Sequence, residues 1–211
     1  MNSRRIVTAA TFLAGAMGIA FAACSQAQNE PSPQAAKVKP GDTAPAFTLT
    51  DQSGKSVSLS DFKDKILVME WINPDCPFSK RHTNRATLNN LVKKYAEKDV
   101  AFLAINSTHY FTVAKNKAWH TKHAYNHPIL DDHDGKVGRA YVAKTTPDIR
   151  IIDAKGTLAY SGAIDDDPRG RAKDPNSYIV KALDELLAGK KVSTPSTTPY
   201  GCSVKYAKKA D

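Results

Sequence analysis

The sequence predicts an α/β fold: a central mixed β-sheet flanked by helices, with an N-terminal hairpin and a C-terminal arm. Three observations predict it. The runs from Ile66 to Trp71 and from Val100 to Ile105 are too apolar for half-exposed strands and read as strands covered on both faces. Helical patterns follow each of them: Leu88, Leu91, Val92 and Tyr95 recur at helical spacing until Asp99, and a second stretch runs from about Thr112 to Ala124. Such alternation implies parallel strands joined by right-handed crossovers, with a site at their carboxyl ends. Finally, residues 149–153, a Lys155-Gly156 turn and residues 157–161 form a hairpin that adds antiparallel strands.

In chain order, Arg4 and Arg5, an uncharged apolar stretch to Ala23 and small residues before Cys24 read as an export signal over residues 1–23. Two cleavages fit: after Ala22, or before Cys24 at a loose bacterial lipobox that would leave Cys24 lipidated and the protein attached to a membrane. Either predicts work outside the cytoplasm, in the periplasm or on a membrane surface, where disulfides persist. Residues 24–40 hold Gln, Ala, Ser and Pro with few large apolar groups, a tether that cannot bury enough surface to fold. The domain is expected over 41–190. It opens with a hairpin around Ser53-Gly54, closed by Asp61-Phe62. A short strand at 128–130 follows the second helix, and Asp174 and Pro175 are expected to open a last helix ending near Gly189. The 211 residues carry a net charge of +9, or +7 without the first 23. That charge is scattered without aromatic interleaving, which argues against a nucleic-acid partner.

The chain is organised around Trp71-Ile72-Asn73-Pro74-Asp75-Cys76-Pro77-Phe78-Ser79-Lys80, where strand gives way to helix. Pro77 suits a first helical position, so Cys76 sits at the helix start, where unpartnered N–H groups favour a thiolate. Lys80 and Arg81 within one turn add positive potential, predicting a pKa below that of a free thiol. The alternative is a buried, inert cysteine.

Gly41-Asp42-Thr43-Ala44-Pro45-Ala46-Phe47-Thr48-Leu49, the strand-to-Cys76 turn, Thr146-Pro147 and the Gly156–Gly162 hairpin occur in an order that resembles the thioredoxin superfamily. The closer likeness is to its redoxin branch, related to alkyl hydroperoxide reductase and thiol-specific antioxidant proteins. The resemblance covers roughly residues 41–190 and implies thiol chemistry at Cys76 without a cofactor, on a thiol or disulfide partner, protein or small molecule. It makes Thr146-Pro147 the cis-proline loop beside the reactive cysteine, which with Trp71 and Pro77 would meet the partner. It puts Glu70, six residues before Cys76, where thioredoxins hold a buried proton-moving acid; a strand-end surface carboxylate is the other reading.

Two departures from that pattern matter. The second thioredoxin cysteine is replaced by Ser79, and the threonine and proline with which peroxiredoxins polarise peroxide are replaced by Asn73 and Met69. Peroxidase chemistry is therefore the second reading, and a redox-inactive metal-carrying module the third. The missing thiol is sought in Cys202, within Pro199-Tyr200-Gly201-Cys202-Ser203-Val204-Lys205-Tyr206, because an arm over 191–211 is long enough to return to the site. A free or intermolecular Cys202 is the alternative. With little apolar content, that arm is expected to be clamped by a Cys76–Cys202 disulfide and released on reduction. His120, His123, His127 and His133 are expected at the surface, and the aspartates at 131–134 and 165–167 in solvated loops.

Overall fold

The computed structural model describes residues 37–208. The export signal, Cys24 and most of the tether lie outside them. Val38 already packs against the core, and Lys39 N–H donates to Asp42.

Hairpin β1 (Thr48–Asp51) and β2 (Ser56–Ser58) leads through a 3₁₀ turn at Leu59–Phe62 into β3 (Ile66–Trp71). Every residue of β3 is buried, which explains its unbroken apolarity. Helices α1 (Pro77–Asn84) and α2 (Thr87–Lys94) follow, then β4 (Val100–Asn106), α3 (Val113–Lys122) and β5 (Ile129–Asp131). After α4 (Lys136–Ala140) and the short β6 (Thr145–Thr146) come β7 (Asp148–Ile152), β8 (Leu158–Gly162), α5 (Tyr178–Leu187) and β9 (Cys202–Ser203). The main sheet runs β2-β1-β5-β4-β3-β7-β8, with β5, β4 and β3 parallel and the outer pairs antiparallel.

Alternation along β3 divides the core. Leu67, Met69 and Trp71 pack with Leu103, Ile105 and Tyr141 on one face; Ile66 and Val68 pack on the other with Leu88 and Leu91 of α2 and Ile179 and Leu183 of α5. The sheet thus ends with Trp71 fully buried and the next turn carrying Cys76 at the start of α1.

Four expectations need correction. The expected continuous helix after Cys76 breaks at Ala86, whose φ of 51° is left-handed and marks the bend between α1 and α2. The last helix opens at Ser177, whose hydroxyl accepts from Val180 N–H, rather than at Asp174-Pro175. The aspartates are not all solvated: Asp132 is 1% exposed, accepting from Ser107 Oγ and from the N–H groups of Val137 and Gly138, and Asp165 and Asp167 are buried. His127, expected at the surface, is buried as well.

The arm differs from expectation in what holds it. Cys76 and Cys202 are both free thiols, yet the arm is docked along its described length. Ser196 bridges to Ser161 at the edge of β8, the Thr197 hydroxyl meets Tyr160 and Ala163 N–H, and the Tyr206 hydroxyl donates to the Ala143 carbonyl. Polar and aromatic anchors do the holding that apolar content cannot, with both thiols free.

Candidate active site

Cys76 is the N-cap of α1 with extended backbone, and Pro77 occupies the first helical position. The turn before it is tied internally: Asn73 Oδ1 accepts from Asp75 N–H, Asn73 N–H reaches Ser79 Oγ, and Cys76 N–H donates to the Asn73 carbonyl. Across from it lies the loop of Thr146 and Pro147, joined by a cis peptide bond. The Cys76 thiol donates to the Thr146 carbonyl at 2.9 Å.

Residues 145 and 146 form a two-stranded antiparallel ribbon with the arm, pairing Thr146 with Cys202 and Thr145 with Ser203. Gly201 is required there. Its φ is +128°, and a Cβ would stand 2.2 Å from the Thr146 carbonyl oxygen. The arm backbone therefore lies directly on the loop, and Thr146 joins the two cysteines, its carbonyl accepting from the Cys76 thiol and its backbone pairing with Cys202.

The two thiols are made unequal by their surroundings. Burial alone would push Cys76 up, but hydrogen bonds from the Cys202 thiol and the Thr146 hydroxyl, with the Ser79 and Cys202 N–H groups, bring it below its ordinary value. The sulfur makes no cap bond of ordinary geometry, so the Ser79 N–H acts as a directed dipole. Cys202 is pushed up to about 11, by burial first and then by its bond to Cys76 and the charge there. Of the two, Cys76 is the more readily ionised. The cations expected to lower it are turned elsewhere: Lys80 is exposed, and the Arg81 guanidinium donates to the carbonyls of Asp167 and Pro168.

Glu70 is 4% exposed, and burial raises its pKa to about 8, so it holds a proton at neutral pH. This is the buried acid of the two readings. It lines a cavity of about 10 Å³, room for one water, together with His82, Thr83, Tyr125 and His127. Nε2 of His127 has no protein partner there, and burial lowers that imidazole to about 4. Trp71 does not meet a partner as expected: it is fully buried, with its indole N–H on Ser107 Oγ and its ring 5.7 Å from Tyr141. Pro77 is exposed beside Cys76, whereas Thr146 and Pro147 are buried beneath the arm. Among the described residues, no three His, Cys, Asp or Glu side chains converge as metal ligands.

Residues 40–161 match the AhpC/TSA family, more than half of the sequence. The chain belongs to that family. Among relatives of this AhpC/TSA protein, the thiol-disulfide oxidoreductase ResA of Bacillus thuringiensis subsp. konkukian is 28% identical over 122 residues, 58% of this chain and 68% of that one. A chloroplastic peroxiredoxin Q of Triticum aestivum is 29% identical over 136 residues, 59% of this chain and 58% of that protein. A hypothetical protein from Sinorhizobium meliloti 1021 superposes with a TM-score of 0.74 at 31% identity, over 82% of this chain and 97% of that one. The thioredoxin domain of an oxidoreductase from Bacteroides vulgatus, at 23% identity and a TM-score of 0.53 over 59% of this chain and 89% of its own, shares the fold. The sheet is accordingly a thioredoxin-like redoxin sheet, and thiol oxidoreduction is the class of activity.

Sequence reasoning missed three side chains of this AhpC/TSA site: His82, Asp165 and Tyr200. Tyr200 stood inside the quoted arm motif, but its partners lie 118 and 35 residues away, beyond any local pattern.

Proposed function

We propose that the protein is an exported thiol–disulfide oxidoreductase with Cys76 as nucleophile and Cys202 as resolving thiol. One observation carries the reading: the chain lays its own Cys202 against Cys76, across the Thr146 ribbon, where Ser79 leaves no local second thiol. The Cys76 thiolate attacks one sulfur of a partner disulfide, forming a mixed disulfide and releasing the other sulfur as a thiolate that takes up a proton. Glu70, protonated at neutral pH, is the proton store this reading assigns. Cys202 then gives up its proton and attacks the Cys76 sulfur, so the partner leaves as a dithiol and the enzyme as the Cys76–Cys202 disulfide.

Ionisation of Cys202 becomes easier at that second step, because Cys76 in the mixed disulfide no longer carries the charge that raises it. An external thiol closes the cycle. Pro77, exposed beside Cys76, is open to a partner; in this reading Thr146 and Pro147 are met once the arm moves aside, and Lys80 lies exposed on the same helix. Export rests on residues 1–23, with Cys24 as the candidate lipid anchor.

Peroxidase activity is the second reading, favoured by the peroxiredoxin Q relative. Against it, Asn73 and Met69 are both buried and stand where the family's threonine and proline would be, so the family's donor set for a departing oxygen is not reproduced. Stopped-flow oxidation of the reduced protein separates the two. Fast reaction with a peptide disulfide and a hydrogen peroxide rate near that of a free thiol are expected; a peroxide rate several decades higher would overturn this order.

A further inference from the structure

Tyr200, two residues before Cys202, enters a side-chain cluster on α1, the helix that Cys76 caps. Its ring centroid lies 6.2 Å from Phe78 and 6.1 Å from His82, and the Arg81 guanidinium is 5.6 Å from it. Its hydroxyl donates to Asp165 Oδ1 at 2.5 Å and lies 3.0 Å from His82 Nε2. A phenol has one proton to give. With that proton on Asp165, His82 must donate from Nε2, leaving Nδ1 to accept from the Thr87 hydroxyl at 3.3 Å. Arg81 Nη2, 3.4 Å from the same Nε2, directs a hydrogen to the Asp167 carbonyl at 3.1 Å. Asp165 and His82 are buried and Tyr200 is half-buried, so the bonds to its hydroxyl are made away from open solvent.

The place of this cluster decides what it does. Gly201 alone separates Tyr200 from Cys202, and its backbone is pressed on the Thr146 carbonyl. On the other side of Cys202, Val204 N–H binds the Lys144 carbonyl. Cys202 thus hangs between two fixed points, one on the Thr146 ribbon and one on α1 and the segment after β8.

We propose that Tyr200 is the positioning residue of the redox pair: held by Asp165 and His82, it sets the effective concentration of the Cys202 thiol at Cys76. This rests on Cys202 as the resolving thiol. A thiol held in attack geometry gains by avoiding the entropy of finding its target, and a loosened arm gives that gain back. The same latch covers Cys76, which is only 2% exposed beneath the arm. Loosening it therefore acts on the two chemical steps in opposite directions.

The test uses the reduced protein and 5,5′-dithiobis(2-nitrobenzoate), following the released thionitrobenzoate. Attack by Cys76 forms its mixed disulfide and releases one equivalent; attack by Cys202 then forms the internal disulfide and releases the second. With one equivalent of reagent per protein, and Cys24→Ser as the background, the wild-type pair is expected to release two equivalents and Cys202→Ser one. If wild type stops at one, Cys202 is not the resolving thiol and the underlying reading fails. Given two, Tyr200→Phe is expected to speed the first phase and slow the second about ten-fold or more, as loss of a charge-assisted hydrogen bond implies. The glutathione equilibrium constant of the internal disulfide should fall by a similar factor, with Asp165→Asn shifting both in the same sense. Two unchanged phases in Tyr200→Phe, or a change in melting temperature alone, would overturn the latch while leaving Cys202 in its role.

Discussion

The two cysteines of the site are placed by different physics. Cys76 stands where a fully buried strand runs out, at a turn closed by its own hydrogen bonds, so the core fixes it. Cys202 stands on a two-residue strand, fixed by one ribbon, one glycine and one aromatic latch. The difference divides labour. The core-held sulfur is the one whose pKa is lowered, and the arm-held sulfur is the one kept protonated until its neighbour is consumed. Altering the first should remove chemistry; altering the second should change how chemistry is completed.

The largest effect is therefore expected at Cys76. Cys76→Ser should reduce disulfide exchange to the uncatalysed level, whereas Cys202→Ser should keep the first step and accumulate mixed disulfides with partners, seen as adducts by mass spectrometry of intact protein. Loss of the first step in both variants would erase the distinction between them.

Next comes Gly201→Val, which leaves both thiols in place and attacks only the arm's seat. A branched side chain at φ +128° against the Thr146 carbonyl costs of order 1–3 kcal/mol, so internal disulfide formation should weaken roughly 10- to 100-fold. Redox titration against glutathione reads this directly. An unchanged equilibrium would mean that the ribbon does not hold Cys202.

An effect outside turnover concerns the core side and is read as stability. Glu70 ionises near pH 4.5 in the unfolded chain and near 8 in the fold. Between those values the native state keeps a proton that the unfolded state has lost, so stability should fall as pH rises through this window and level off above about pH 8. Glu70→Gln removes that slope and should gain up to about 4 kcal/mol at pH 8 with little change at pH 4. Denaturant midpoints at the two pH values check it; parallel curves for wild type and variant would show an ionised, solvated carboxylate.

How much of this was legible follows the same division. The central strands, the strand-to-helix turn and Cys76 could be read because an unbroken apolar run and a proline after the cysteine are local signals. The break at Ala86 carries no glycine or proline, and α4 is too short for periodicity to appear. Long-range polar bonds left no pattern either: Tyr200 with His82 and Asp165, and Asp132 with the start of α4, are visible only once the chain is folded. The arm's reach was legible from its length, but its docking was not, because hydroxyls, N–H groups and aromatic rings hold it.

The central claim is that Cys76 and Cys202 form one redox pair. Non-reducing peptide mapping of the oxidised mature protein, with free thiols alkylated before digestion, tests it most directly. The account predicts a single cross-linked peptide pair joining the Cys76 and Cys202 segments, lost on reduction and absent from Cys202→Ser. Recovery of both cysteines as separately alkylated peptides, or of Cys76 joined only to another molecule, would contradict it.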